Sequence, residues 1–243
     1  MLLPLALFSL TTTAGGQVAH IVSQGLSGPL RQVVALLGAA LLLSGFAVAC
    51  SRHVRDYVTA YLIQSLIITA IAVAIGIGTG RWDLFFVAAL TCLVKVLLIP
   101  RLLWAVGSRL PEQRERSPLA NIFASLLIAL GLTAFAFFTA PTVVAPGSVL
   151  NEPPLAISIA LVLIGLFVLS SRRHVLAQVV GLLTIENGLF SSAIAIVYGL
   201  PLLIEFGILF DVLVAVVVLT LLVTLLHRTV TSSDTLDLRR LRG

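Results

Sequence analysis

Charge is what this sequence has least of. Only 10% of its 243 residues are charged, whereas a soluble domain carries about 25%. Apolar residues make up 59% and the mean hydropathy is +1.15, which excludes an ordinary water-soluble enzyme. Cysteine is nearly absent: Cys50 and Cys92 lie in separate apolar runs, without the spacing of a disulfide, zinc, haem or iron–sulfur site. This predicts no cofactor in the chain itself. The alternating pattern of membrane β-strands is missing, as is any basic stripe interleaved with stacking aromatics, so neither a barrel nor nucleic-acid binding is expected.

What is present is a series of apolar runs of about 17 to 25 residues, long enough to cross hydrocarbon as helices. Seven spans are predicted, roughly 31–50, 57–79, 83–106, 118–140, 155–171, 174–198 and 201–227. The expected fold is therefore an all-α, polytopic membrane helix bundle of about seven transmembrane helices. Residues 1–23 are a candidate eighth; they lack a basic n-region, which argues against a cleaved signal peptide. The domain reading is an extension over 1–30, a four-helix region over 31–150, a three-helix region over 151–230 and a polar cytoplasmic tail over 231–243.

The net charge of +5 comes from fourteen arginines and one lysine, and nearly all the arginines sit between the spans. With seven spans, Arg52, Arg55, Arg109, Arg114, Arg116, Arg172, Arg173, Arg228, Arg239, Arg240 and Arg242 share one side. Arg31 and Arg81 lie on the other. Positive-inside counting then places the N-terminus outside and the C-terminus in the cytoplasm, in a bilayer whose anionic headgroups the arginines meet.

Four ionisable residues break the apolar runs: Lys95, Glu186, Glu205 and Asp211. Each costs about 2.5–3.5 kcal/mol at a helix centre, so each is a functional candidate. At about 1.5 Å of rise per residue, Lys95 and Glu186 lie roughly 18 Å deep and Asp211 roughly 15 Å deep, near the midplane. Glu205 lies about 6 Å from the outer end. A tight turn makes the sixth and seventh spans antiparallel neighbours, bringing Glu186 and Asp211 to one level. Two carboxylates in hydrocarbon cannot comfortably both be ionised, so one can hold and exchange a proton, and Lys95 at that level can pair with either. A proton relay and a structural ion pair are both consistent with this set. Gln64, Gln178 and Asn187 are candidates for a supporting polar track. Pro100, five residues after Lys95, removes an amide from the helix and predicts a kink there. Gly181 and Gly188 are placed for close helix contact.

At these residues the chain resembles the hydrogenase-4 component E family, membrane subunits of formate hydrogenlyase-type nickel–iron hydrogenases. The matching pieces are Lys95 to Pro100, Gln178 to Gly181 with Glu186-Asn187-Gly188, Glu205-Phe206-Gly207 leading to Asp211, Thr235-Leu236-Asp237, and Tyr61 to Leu66. The family's last three helices are similar to the small three-helix subunit of proton-pumping NADH:quinone oxidoreductase, whose buried glutamates belong to a polar axis. The position matching the first of those glutamates is Leu183, with Glu186 about one turn later, and Asp211 is displaced similarly; a one-turn shift keeps the helix face.

The resemblance implies a non-catalytic membrane subunit of a hydrogenase-like respiratory complex in the bacterial cytoplasmic (inner) membrane. Lys95, Glu186, Asp211 and Glu205 would belong to its proton pathway. Antiporter-like membrane subunits and a soluble redox module would be its partners, and the nickel–iron and iron–sulfur centres would lie in them. A self-contained proton or cation transporter and a structural membrane anchor are the alternatives. The orientation has a direct test: a reporter enzyme fused after Gly243 is expected to read out as cytoplasmic, and a periplasmic signal would overturn the positive-inside count.

Overall fold

A computed structural model describes residues 28–80, 82–108, 121–143 and 152–196. Every regular segment among them is helical. In chain order these are α1 (Gly28–Cys50), α2 (Val54–Thr79), α3 (Trp82–Thr91), a π-helical segment (Cys92–Leu98), α4 (Ile99–Gly107), α5 (Ile122–Val143), α6 (Glu152–Ser171) and α7 (Val175–Ile196). Six stretches among the described residues are long and apolar enough to cross a membrane, with α3, the π segment and α4 together making the third. The predicted span 201–227, with Glu205 and Asp211, lies outside the described residues.

The segment from Trp82 to Gly107 is one span with a break in its hydrogen-bond register. Pro100 has no amide to donate and stands in the first turn of α4. The register widens just before it: the amide of Ile99 donates to the carbonyl of Val94, five residues back. The kink expected from Pro100 is thus taken up by a π turn, a form found often at functional sites.

α6 and α7 make the most extensive helix pair, and glycines set its spacing. A Cβ at Gly165 would stand 2.8 Å from the Gly181 carbonyl oxygen, and one at Gly181 would stand 2.8 Å from the Leu169 amide nitrogen. A Cβ at Gly188 would meet the Ser158 carbonyl oxygen at 3.0 Å. Because the obstacles are backbone atoms, side-chain repacking cannot relieve them. Such close approach is how membrane helices gain dispersion contacts where lipid offers no hydrophobic gain.

At the end where α1, α4 and α6 finish, Arg172 draws the bundle together. Buried at the α6–α7 corner, it donates through Nη2 to the Ala49 carbonyl and, at 3.2 Å, to Ser125 Oγ. One side chain therefore ties the end of α1 to the start of α5. Arg52, Arg55, Arg101 and Arg173 lie toward the same end, while Arg31 is the one described arginine toward the other.

Two apolar layers fill the interior. The layer at the arginine-rich end includes Val48, Tyr57, Tyr61, Leu103, Ile164, Leu176 and Leu183. The other includes Leu41, Ile68, Ile75, Val87, Leu161 and Phe190. Between them lies the polar level described below.

The α6–α7 contact makes a sharp prediction. Gly181→Val should destabilise the purified protein by about 1–3 kcal/mol or more through overpacking, read as a fall in thermal midpoint in detergent. Gly131→Ala, which meets nothing within 4 Å, is the control. An unchanged midpoint for Gly181→Val would contradict this packing.

Candidate functional site

Lys95 is the sole lysine of the chain, and its side chain is fully buried. The π segment carries it toward α7, where its Nζ stands 3.1 Å from Glu186 Oε1. The same ammonium donates to Asn187 Oδ1 at 3.1 Å and lies 5.0 Å from the Phe190 ring centroid. Glu186 is 2% exposed. The charge on Lys95 is thus met by a carboxylate, an amide oxygen and an aromatic face, as an ammonium in hydrocarbon requires.

The contacts continue from Asn187. Its Nδ2 donates to Gln64 Oε1 at 3.0 Å, which fixes the Asn187 carbonyl toward the lysine. Gln64 and Asn187 are both fully buried. Gln64 Nε2 and the neighbouring Ser65 Oγ, also buried, have no hydrogen-bond partner among the described residues, where the row ends on α2.

The direction of this row follows from helix rise. Counted from the arginine-rich ends of their helices, Gln64 lies about 15 Å deep, Glu186 about 16 Å, and Asn187 and Lys95 about 18 Å. Glu186, Lys95, Asn187 and Gln64 therefore form a row within the membrane plane, across three spans, at mid-depth. Apolar layers close it above and below.

Of the candidate residues, Lys95, Glu186, Asn187 and Gln64 come together. Gln178 does not join them: its Nε2 donates to the Arg172 carbonyl at 2.9 Å, so it closes the α6–α7 corner. Leu183 belongs to the apolar layer one turn before the row. Glu205 and Asp211 lie outside the described residues. Arg172 was missed as a bundle-organising residue, because an arginine at a span end reads simply as a topology signal. Among the described residues no three His, Cys, Asp or Glu side chains gather as metal ligands.

A polytopic helical membrane protein with an ion pair buried at its midplane is thus the class that fold and site define. The chain is homologous to hydrogenase-4 component E. It is 37% identical over 205 residues to the uncharacterized protein Rv0085 of Mycobacterium tuberculosis, covering 83% of this chain and 92% of that protein. It is 29% identical over 209 residues to hydrogenase-4 component E of Escherichia coli K12, covering 86% of this chain and 96% of the relative, and matches the Shigella flexneri protein of that name equally. No family model matches the chain. No solved structure matches it significantly.

The pair predicts non-additive energetics. Removing one partner of a buried ion pair costs about 3–5 kcal/mol, because the other charge is stranded. Lys95→Met alone should therefore lower the thermal midpoint strongly, and Lys95→Met with Glu186→Gln should lose much less than the sum. Additive losses would mean that the two side chains do not act as a pair.

Proposed function

We propose that this chain is a non-catalytic integral membrane subunit of a hydrogenase-like respiratory complex, and that its buried row couples charge or proton movement across the complex. The observation that carries this reading is the Lys95–Glu186 ion pair at mid-depth, held to Asn187 and Gln64 in one plane. A row lying in the plane suits transfer between neighbouring subunits better than conduction from one face to the other. The name of the relatives, hydrogenase-4 component E, supplies the type of complex.

The chemistry uses two titratable groups and two positioning amides. Proton arrival on Glu186 removes the countercharge from Lys95, and an ammonium left alone in hydrocarbon is costly. Onward transfer then needs a second carboxylate as acceptor. Asp211 is the candidate acceptor and Glu205 a shallower one toward the outer surface. Asn187 and Gln64 carry no proton; they orient the lysine and keep the pair in register. Nickel–iron and iron–sulfur chemistry would belong to a soluble redox module, with antiporter-like subunits as the membrane neighbours, in the bacterial inner membrane.

The test is proton-coupled turnover per assembled complex. Glu186→Gln keeps volume and hydrogen bonding but cannot take a proton, so turnover should fall about tenfold or more, equal to about 1.4 kcal/mol on the limiting barrier. Asp211→Asn should behave alike and Glu205→Gln more mildly. Near-normal turnover in assembled Glu186→Gln complexes would leave a structural anchor as the role.

A further inference from the structure

Arg101 is out of place in the third span. It stands six residues, about 9 Å, inside the apolar stretch that ends at Gly107, yet its side chain is exposed. Leu98, Arg101 and Trp104 follow at three-residue steps and so share a helix face. Leu98 is exposed and Trp104 is half-exposed on that face. A guanidinium facing hydrocarbon is costly, and its long stem lets it reach toward the headgroups, where it needs an anion.

A second guanidinium converges there. Arg55, in the first turn of α2, lies 5.6 Å from the centroid of the Trp104 ring. Arg55 therefore lies against the Trp104 indole, and Arg101 stands one helical turn before that tryptophan. The only carboxylate toward this end among the described residues is Asp56, and it pairs with His53 at 3.3 Å. His53 makes no side-chain cap to α2.

We propose that Arg55, Arg101 and Trp104 form a binding site for an anionic phospholipid. The phosphate sits between the two guanidiniums, the indole lies at the headgroup boundary, and an acyl chain runs along Leu98 and the exposed Leu97 one turn deeper. A lipid answers both halves of the patch, charge at the interface and apolar surface below it. A soluble anion or an acidic protein segment answers only the first. The site is independent of the proton row.

Tryptophan fluorescence tests this directly, because the chain has two tryptophans and Trp82 lies toward the opposite end. Trp82→Phe leaves Trp104 as the reporter. In phosphatidylcholine vesicles holding the full chain, a small fraction of brominated phosphatidylglycerol should quench Trp104 several-fold more than the same fraction of brominated phosphatidylcholine. Each arginine is expected to contribute about fivefold to that preference. Arg55→Gln with Arg101→Gln should reduce quenching to the phosphatidylcholine level, and the quenching that remains shows that the variant is inserted. Equal quenching by the two lipids in the Trp82→Phe parent would overturn the site without any arginine variant. So would a Trp104 that neither lipid quenches, which would mean that protein covers the face.

Discussion

Everything in the interior of this protein is arranged around an ammonium and a carboxylate that have no water to fall back on. Neither Lys95 nor Glu186 can be ionised in hydrocarbon alone, and at 3.1 Å each provides what the other lost on leaving water. The attraction covers only part of that desolvation cost. The remaining donors of the ammonium also need partners, and Asn187 and the Phe190 ring supply them. Asn187 is in turn held by Gln64. One charge pair thus dictates the identity of side chains on three spans.

The backbone serves the same constraint. A regular helix through Pro100 would lose a hydrogen bond beside the lysine; the π register at Cys92–Leu98 accommodates that loss and turns Lys95 toward α7. On the partner side, the glycines of α6 and α7 set a tight backbone contact, with Gly188 immediately after Asn187. A helix held that closely has little freedom to roll, so Glu186 and Asn187 keep their bearing on the lysine. Apolar layers flank the row on both sides.

The spans were legible because hydropathy is a sum over about 20 residues and tolerates errors at either end. Lys95 and Glu186 were legible for the opposite reason, as single exceptions in runs that otherwise carry no charge. Depth arithmetic put them at one level, and helix contact brings them together. Less was readable for the amides. Gln64 and Gln178 look alike in sequence, each an amide in an apolar helix, but one meets Asn187 and the other an Arg172 carbonyl. That choice depends on helix rotation, which neither hydropathy nor spacing specifies in helices that are apolar nearly all round. Arg172 was hidden by its position, and the π turn by the absence of any local residue signature apart from the proline that follows it. The expected neighbours Asp211 and Glu205 lie outside the described residues, so the acid-rich side of the site rests on sequence.

In the proposed role, Glu186 changes protonation while the complex works. Infrared difference spectroscopy of the assembled complex, taken between its oxidised and reduced states, observes a buried carboxyl directly through its carbonyl stretch. A protonated-carboxyl band should appear or shift with the redox change and be lost in Glu186→Gln. The same band unchanged in that variant would rule that role out.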